Sequence, residues 1–406
     1  MRVIVAGCGI GGAALALALQ KFGIDHVVLE QAPQLEEVGA GVQLSPNGVG
    51  VLKNLGVHEA LAKVAFQPRE LLYRDWQTGE VLMANPLMPQ INEHFGAPYY
   101  HAHRADLLAV LTERLRPESV RLGRKIASVG QDGEKVFAKL VDGSVEHGDV
   151  LVGADGIHSL VRSQLFQADA PQSSGCVAWR GMVDAEQARH LGISPSAHVW
   201  MGPGHSVVIY YVSGGRKINW ICIGSSPANR KESWSATATV QEVLDEYQGW
   251  HEEVRQLVKL TAKPFVTALY DRTPLQSWVK GRIALMGDAA HAMLPYHAQG
   301  AVQSMEDAWV LARLLDLSKG AAPQALQKYQ DLRLDRATRV QAQSRLAEKR
   351  FHMSDPIEVA ERNAKFRKYD AKFSGSYLPQ QEWLFGYDAE LAAQGKDDKW
   401  RALRAW

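Results

Sequence analysis

The stretch that most constrains the fold of this 406-residue chain is its beginning, MRVIVAGCGIGG. Residues 3–6 are apolar, which is typical of a strand buried on both faces of a parallel sheet. The strand leads into Gly7, Gly9 and Gly12, spaced G-x-G-x-x-G, and then into an alanine- and leucine-rich helical segment over residues 13–21. Such glycines permit a tight turn, a close approach of backbone to a pyrophosphate, and close packing of helix on strand. The pattern predicts a dinucleotide-binding βαβ unit with the diphosphate at the helix N-terminus.

An acidic residue follows at the distance that this fingerprint requires. A second apolar run, residues 26–29, ends at Glu30. The fingerprint places the carboxylate that binds a ribose hydroxyl about 20 residues beyond the glycines. A glycine-rich turn that merely begins an α/β domain is the alternative. The order of strand, glycines, helix and acid favours an adenine dinucleotide at the N-terminus.

Composition excludes several other classes of protein. The formal net charge of +1 gives no electrostatic case for binding nucleic acid or an anionic membrane. No apolar run approaches the ~20 residues that span a bilayer, and Met1-Arg2 leads directly into a strand, so no signal or transit peptide is expected. Cys8, Cys176 and Cys222 are too few and too scattered for a disulfide framework or a zinc site. We therefore expect a cytoplasmic protein with no metal, no nucleic-acid partner and no membrane association.

The patterns along the chain predict an α/β fold of about two domains. Residues 150–154 and 282–286 are short buried strands like the first, whereas residues 175–270 are rich in β-branched and aromatic residues. We expect a Rossmann-like domain with a parallel sheet, a second domain of largely antiparallel sheet covered by helices, and a helical C-terminal region. The predicted division assigns 1–75, 100–174 and 276–345 to the first, 76–99 and 175–275 to the second, and 346–406 to the third.

Two further motifs complete a specific pattern. Residues 152–162 read VGADGIHSLVR, and residues 285–291 read LMGDAAH, followed by PYHAQG at 295–300 and EDA at 306–308. Together with the glycines, their order and spacing resemble the single-component FAD-dependent aromatic hydroxylases of the salicylate and hydroxybenzoate hydroxylase type, which are group A flavoprotein monooxygenases. The resemblance covers roughly residues 1–345. It implies that the first domain binds FAD.

The resemblance also implies which residues contact FAD. Asp288 would bind the ribityl chain, Arg104 the FAD, and Asp155 both the FAD and the nicotinamide dinucleotide. Helix capping is the alternative for the two aspartates, and a solvated surface position is the alternative for Arg104. Backbone N–H groups at the start of a helix near residue 301 would stabilise the negative charge that reduction places on the flavin. The predicted cofactor-binding residues are Gly7, Gly9, Gly12, Glu30, Gly41, Val42, Arg104, Asp155, Asp288, Gln299, Gly300 and Ala301.

The implied reaction consumes NADH or NADPH and O2 and hydroxylates a small phenolic or heteroaromatic acid through a flavin C4a-hydroperoxide. The chain has no second glycine fingerprint, which agrees with a nicotinamide held only transiently. Loss of the carboxylate, as in salicylate hydroxylases, stays open. The alternatives are an enzyme like the 3-hydroxybenzoate 6-hydroxylases, one of the hydroxynicotinate type, and a flavin reductase or dehydrogenase of the same fold. The expected partners are the aromatic substrate and O2, and the expected state is a monomer or homodimer.

The candidate substrate end lies in the antiparallel sheet and beside the flavin. Tyr210 and Tyr211 are adjacent, so only one of them faces the pocket. Relatives that hydroxylate 3-hydroxybenzoate carry a histidine and, four residues on, a tyrosine, which align with Ser206 and Tyr210. The nearest histidine here is His205, which points to the other face. The predicted catalytic residues are His297, Tyr210 and His205, and the predicted substrate residues are Tyr210, Tyr296, Pro295, Trp200 and Arg180.

Two of these predictions rest on side-chain chemistry. Imidazole titrates near neutrality, which makes His297 a candidate base. A guanidinium forms forked hydrogen bonds with carboxylates and phosphates, so Arg180 is a candidate anchor for a substrate carboxylate or for the nicotinamide phosphates. A structural ion pair is the alternative for Arg180, and an ordinary position in the core of the sheet is the alternative for Trp200.

Overall fold

The computed structural model describes residues 1–35, 40–166, 169–225, 236–373, 381–397 and 399–403. Its strands form four sheets. They are β1 (Arg2–Ala6), β2 (Asp25–Leu29), β3 (Gly41–Leu44), β4 (Glu70–Asp75), β5 (Val81–Pro86), β6 (Tyr100–His103), β7 (Val120–Arg121), β8 (Ile126–Asp132), β9 (Lys135–Leu140), β10 (Val145–Gly148), β11 (Val150–Gly153), β12 (Gln172–Asp184), β13 (Ala197–Gly202), β14 (His205–Val212), β15 (Lys217–Ser225), β16 (Ala236–Thr237), β17 (Phe265–Asp271), β18 (Val279–Lys280) and β19 (Ile283–Leu285).

Helices connect these strands and form most of the chain beyond residue 300. The α-helices are α1 (Ile10–Lys21), α2 (Pro46–Leu55), α3 (His58–Ala62), α4 (Gln90–Phe95), α5 (Arg104–Thr112), α6 (Leu160–Leu165), α7 (Val240–Glu246), α8 (Glu252–Lys259), α9 (Asp288–His291), α10 (Gly300–Leu317), α11 (Ala322–Phe351), α12 (Pro356–Phe373), α13 (Glu382–Phe385) and α14 (Ala389–Ala393). Within the described ranges, no helix combines the length and the apolar character needed to cross a membrane.

A six-stranded sheet is built around the N-terminal strand, in the order β18-β19-β11-β1-β2-β7. β1 pairs in parallel with β2 and β11, and β19 pairs in parallel with β11. Val3, Ile4 and Val5 are completely buried, as expected of a strand covered on both faces. α1 packs against α10 on this sheet. The predicted Rossmann-like parallel sheet is confirmed.

An eight-stranded sheet follows the order β16-β17-β12-β15-β14-β13-β4-β5 and is antiparallel except where β13 pairs with β4. Its outer face carries side chains such as Val207 and Ile209, which pack with α7 and α8. Val208 and Tyr210 belong to the inner face, and Ser206 shares that face by strand alternation. The largely antiparallel sheet covered by helices is confirmed. β4, at residues 70–75, pairs within this sheet although the predicted division assigns those residues to the first domain; the domain limits stay a prediction.

Some elements differ from the sequence expectation. α1 begins at Ile10, three residues earlier than predicted, because Gly11 and Gly12 are already helical. The segment 85–98, which the predicted division places at the start of the second domain, contains the end of β5 and the short α4. Within the C-terminal region, α13 buries Trp383 and its neighbours against the core of the first sheet. The C-terminal region is therefore helical as predicted, and α13 packs against the core.

Candidate active site

The glycine turn at the end of β1 leaves room for a ligand at one position and none at the others. A Cβ on Gly7 would lie 2.6 Å from the carbonyl oxygen of Ala154, and a Cβ on Gly12 would lie 2.1 Å from that of Gly7. At Gly9, which precedes α1, an added Cβ would meet no atom of the described residues within 4 Å. The turn is therefore closed on the protein side and open at Gly9. This is the arrangement that an approaching diphosphate requires.

Glu30 lies directly beside this turn. Its carboxylate accepts hydrogen bonds from the backbone N–H groups of Cys8 at 2.7 Å and Ala32 at 2.8 Å. Burial and the charge of Glu30 raise the pKa of the Cys8 thiol to about 12, so the thiol stays protonated. The carboxylate is thus fixed between the glycine turn and the end of β2. Its binding of a ribose stays a prediction.

Asp155 caps a helix, which is the alternative that the sequence left open. Its carboxylate accepts hydrogen bonds from the Ser159 hydroxyl at 2.5 Å and from the backbone N–H of Leu160 at 2.8 Å, at the start of α6. Burial raises the pKa of Asp155, against the effect of these hydrogen bonds. Arg104, the first residue of α5, donates its backbone N–H to the carbonyl of Ala40 at 2.9 Å. The cofactor contacts of Asp155 and Arg104 stay predictions.

Asp288 lies just beyond β19, the strand that pairs with β11. It is exposed although its neighbours Gly287 and Ala289 are buried. A Cβ on Gly300 would lie 4.0 Å from the Asp288 carboxylate, so this carboxylate is adjacent to the first residue of α10. An exposed carboxylate at the carboxyl end of a parallel strand, beside a helix N-terminus, suits a hydroxyl-bearing chain such as the ribityl group. The residues present therefore fit FAD.

A completely buried cluster of four charged side chains lies behind the start of α10: Glu306, Asp307, Arg333 and Arg336. We call it the buried charge cluster. Arg333 donates to both carboxylates, and Arg336 donates to Glu306 through Nε at 2.8 Å and Nη2 at 2.9 Å. Burial alone would raise the pKa of Glu306, but Arg336 and Arg333 hold it below its usual value. Burial would likewise raise the pKa of Asp307, but His291, whose Nε2 lies 2.6 Å from its carboxylate, and Arg333 hold it below its usual value. Both carboxylates are therefore ionised.

The buried charge cluster fastens the parts of the candidate FAD site to one another. Glu306 accepts a hydrogen bond from Asn47 of α2 at 2.7 Å, and Asp307 accepts one from the backbone N–H of Gly287 at 2.9 Å. Asn47 also donates to Gln299 at 3.2 Å, just before α10. Of the predicted set, Gln299 is thus buried in this network, while Gly300 and Ala301 begin the helix. The sequence carried EDA as a motif, but nothing in it indicated the two arginines.

Arg180 and Tyr210 come together on the inner face of the eight-stranded sheet. Nε of Arg180 is buried and has no hydrogen-bond partner among the described residues. Tyr210 is 1% exposed, and its ring lies 4.7 Å from that of His101, centroid to centroid. Burial raises the pKa of Tyr210 although Arg180 opposes the shift, so its hydroxyl keeps its proton at neutral pH. Arg180 and Tyr210 therefore present one positive charge and one hydroxyl group on the inner face of the sheet.

Gly41 brings the first domain against this pair. A Cβ on Gly41 would lie 2.6 Å from the Tyr210 hydroxyl. Its backbone N–H donates to the side-chain oxygen of Asn219 on β15 at 2.9 Å. Val42 follows it on β3, which pairs with β6. Asn219, which the sequence did not single out, therefore ties the predicted flavin-facing segment to the substrate sheet.

Two predicted residues lie on the wrong face of the sheet. Trp200 is buried on the outer face, where the guanidinium of Arg74 lies 4.4 Å from its ring centroid. His205 packs against Tyr247 and places its Nε2 3.0 Å from a carboxylate oxygen of Glu246. Strand alternation directs both side chains toward α7 and α8. Neither residue lines the face that carries Arg180 and Tyr210.

Pro295, Tyr296 and His297 form a short 3₁₀ turn before α10. His297 borders a cavity of about 20 Å³ shared with Tyr73, Arg350 and Trp383, and Tyr210 is not among its lining residues. Burial, with a further contribution from Arg350, lowers the pKa of His297 to about 4, so its imidazole is neutral at pH 7. His297 therefore lies on the wall of this cavity as a neutral imidazole. The role of His297 as base stays a prediction.

Comparison with known proteins agrees with this geometry. The family model described as FAD binding domain matches residues 1–344. The 3-amino-4-hydroxybenzoate 2-monooxygenase of Streptomyces cremeus is 37% identical over 391 residues, which is 96% of each chain. The 3-hydroxybenzoate 6-hydroxylase 1 of Aquipseudomonas alcaligenes is 35% identical and covers 95% of this chain and 97% of its own. A solved substrate complex of salicylate hydroxylase superimposes with a TM-score of 0.83 at 28% identity, covering 98% of both chains.

Proposed function

We propose a substrate class for this chain, which belongs to the FAD binding domain family and is an FAD-dependent monooxygenase acting on aromatic rings. It is a hydroxylase of the salicylate and hydroxybenzoate type. The proposed substrate is a small phenolic acid whose carboxylate pairs with Arg180. The buried Nε of Arg180, which has no hydrogen-bond partner among the residues that the structure describes, supports this assignment, because a buried guanidinium donor without a partner is costly unless a ligand satisfies it.

FAD, when bound, supplies the transfer of electrons from NADH or NADPH to O2 and of one oxygen atom to the ring. The residues that would hold it are the glycine turn, Glu30, Asp288 and the start of α10. The protein's own task is to orient the ring and to exclude water from it. The inner face of the sheet is suited to that task because apolar residues, among them Val208 and Ile221, surround Arg180 and Tyr210.

Tyr210 is proposed to hold the substrate hydroxyl rather than to remove its proton. Its pKa is raised by burial, so the tyrosine hydroxyl is a donor at neutral pH and stabilises negative charge on the phenol oxygen as the ring is attacked. Arg180 at the other end fixes the direction of the ring through forked hydrogen bonds. The two contacts together select a ring that carries both a carboxylate and a hydroxyl.

The test is a panel of aromatic acids with matched amides. The acids are those named for the relatives: 3-amino-4-hydroxybenzoate, 3-hydroxybenzoate and salicylate. We expect at least one acid to accelerate NADH or NADPH oxidation and to yield a product with one added oxygen atom, while its amide does neither. Assay of CO2 shows whether the carboxylate is retained. Equal stimulation by acid and amide would contradict the carboxylate contact, and stimulation by none of the compounds would overturn the proposal.

Replacing Arg180 by methionine is expected to raise the KM for the acid by about 10- to 150-fold. A hydrogen bond to a charged group contributes ~1.5–3 kcal/mol, and each 1.4 kcal/mol is about tenfold in affinity. The unbranched methionine side chain keeps part of the buried volume. Steady-state kinetics against the best acid measure the effect.

The matched control is Arg189→Met, because Arg189 is 76% exposed and pairs only with Glu186, itself mostly exposed. We expect this variant to keep the wild-type KM. FAD content is measured in both proteins, so that loss of cofactor is separated from loss of substrate affinity. An Arg180→Met enzyme with unchanged KM for the acid would show that the carboxylate binds elsewhere.

A further inference from the structure

A second cluster of polar side chains lies at the edge of the inner sheet face, outside the contacts used above. It consists of Cys176 on β12 and of Glu348 and His352 at the C-terminal end of α11. One potential ligand atom from each, a sulfur, a carboxylate oxygen and an imidazole nitrogen, lies within 4.8 Å of the other two. All three residues are partly buried. We propose that Cys176, Glu348 and His352 form a binding site for a divalent transition-metal ion of the Zn²⁺ class.

The backbone already holds two of these ligands in place. His352 directly follows α11, four residues beyond Glu348, and its backbone N–H donates to the Glu348 carbonyl at 3.1 Å, so the two side chains lie on one side of the helix end. Cys176 reaches them from the facing strand, with its Sγ 3.5 Å from Oε1 of Glu348. In a zinc site the metal lies about 2.0–2.3 Å from its S, N and O ligands. Movements of about an ångström in the three side chains would therefore bring their donor atoms within bonding distance of one ion.

The donor set selects the class of metal. Thiolate and imidazole favour Zn²⁺ and related ions, whereas Mg²⁺ and Ca²⁺ require oxygen ligands. Three protein ligands leave a fourth position for water, as in zinc sites that are open to solvent. Cys176 binds as a thiolate: its S–H bond breaks, the proton passes to solvent, and a sulfur–metal bond forms. No electron is transferred.

The ion would compete with hydrogen bonds that now hold the cluster together. Oε1 of Glu348 accepts from the Tyr296 hydroxyl at 3.4 Å as well as from Cys176. His352 shares a hydrogen bond with the Ser206 hydroxyl at 2.9 Å. Tyr296 packs against the apolar cluster that contains Tyr210, and Ser206 lies on the same inner face of the sheet by strand alternation. Metal binding therefore withdraws Glu348 from Tyr296, and we expect Zn²⁺ to slow hydroxylation; this consequence rests on the proposed function.

Cobalt titration of the FAD-loaded enzyme tests the site directly. Co²⁺ in a thiolate-containing tetrahedral site absorbs at longer wavelengths than oxidised flavin. We expect one equivalent of Co²⁺ to produce these bands, Zn²⁺ to abolish them, and Cys176→Ser, Glu348→Gln and His352→Gln each to lose them. The control is His94→Gln, because His94 and Glu382 form an exposed pair 3.1 Å apart. Absence of the bands, or the same bands in Cys176→Ser, would overturn the proposal.

Alkylation of Cys176 in the wild-type enzyme tests the site even if the variants fold poorly. Cys8 and Cys222 are buried, whereas Cys176 is partly exposed. We expect Zn²⁺ to protect Cys176 from alkylation, as read by mass spectrometry of the Cys176 peptide, and Mg²⁺ to give no protection. Equal alkylation with and without Zn²⁺ would also overturn the site. Neither measurement requires turnover, so a failed aromatic-acid panel would remove the proposed function and leave this test intact.

The effect on turnover is measured separately. Each protein is compared with its own zinc-free rate of acid-stimulated NADH or NADPH oxidation. We expect Zn²⁺ to inhibit the wild-type enzyme and to have a much weaker effect on Cys176→Ser. Equal inhibition of the two enzymes would overturn the link between the metal site and Tyr296.

Discussion

Arg333→Met is expected to lower the free energy of unfolding by about 3–5 kcal/mol, the usual cost of removing one partner from a buried ion pair. Arg333 is completely buried and donates to both Glu306 and Asp307. Its loss leaves the two buried carboxylates with Arg336 and with His291, whose Nε2 lies 2.6 Å from Asp307. Arg336 bonds only to Glu306 among them. Chemical denaturation followed by circular dichroism measures the loss.

The same substitution should also weaken FAD binding, because Asp307 holds the backbone N–H of Gly287 beside Asp288. The matched control is Arg367→Met. Arg367 forms a forked pair with Glu80, but both side chains are about half exposed. Exposed pairs contribute about 0–1 kcal/mol, so the control should unfold nearly as the wild type does. Equal losses in the two variants would show that the buried charge cluster does not stabilise the fold.

The parts of the fold that the sequence predicted are those with local signals. The apolar first strand, the glycines and Glu30 lie within thirty residues of one another, and each has a physical meaning that needs no distant contact. Strand alternation likewise separated two adjacent tyrosines: Tyr210 lies on the inner face, and Tyr211 packs on the outer face. Periodicity of two is sufficient for that inference.

Strand periodicity could not show which side chains of β13 point to the inner face of the sheet and which point to the outer face. All six of its residues, Ala197–Gly202, are buried, so no alternation of polar and apolar residues distinguishes the inner face from the outer one. The sequence therefore predicts Trp200 as a substrate residue, whereas in the structure its ring packs under the guanidinium of Arg74. For a strand that is covered on both faces, the side chains that face the substrate site can be identified only when the positions of the covering helices are known.

Contacts between segments that are far apart in the chain could not be predicted from the sequence either. Arg333 and Arg336 lie in α11, a long helix of mainly polar sequence, where arginines usually face solvent. Their burial depends on the carboxylates of α10. Cys176 and Glu348 are 172 residues apart, so the spacing rules for metal sites could not detect them. These two clusters require the tertiary structure.

Two similar substitutions in the glycine turn, Gly12→Ala and Gly9→Ala, are expected to separate the effect on protein stability from the effect on FAD binding. In Gly12→Ala, the new Cβ would lie 2.1 Å from the carbonyl oxygen of Gly7, so backbone must move and the turn must open. We expect this variant to lose both stability and FAD. In Gly9→Ala, the new methyl group meets no atom within 4 Å in the part of the chain that the structure describes, and the backbone φ of −68° suits alanine. We expect Gly9→Ala to keep the stability of the apoprotein and to lose FAD.

The expected loss of FAD affinity is at least about 100-fold in each variant, or ~2.8 kcal/mol, because a methyl group at Gly9 occupies the space through which the diphosphate reaches the backbone. Fluorescence titration of the apoproteins with FAD measures it, and thermal unfolding without FAD measures the packing effect. Gly50→Ala is the control: Gly50 lies within α2 with no atom near its Cβ position, so alanine should raise helix stability by about 0.5–1 kcal/mol. A Gly9→Ala protein that binds FAD normally would mean that the diphosphate does not approach this turn. The assignment of Gly7, Gly9 and Gly12 to the cofactor would then be wrong.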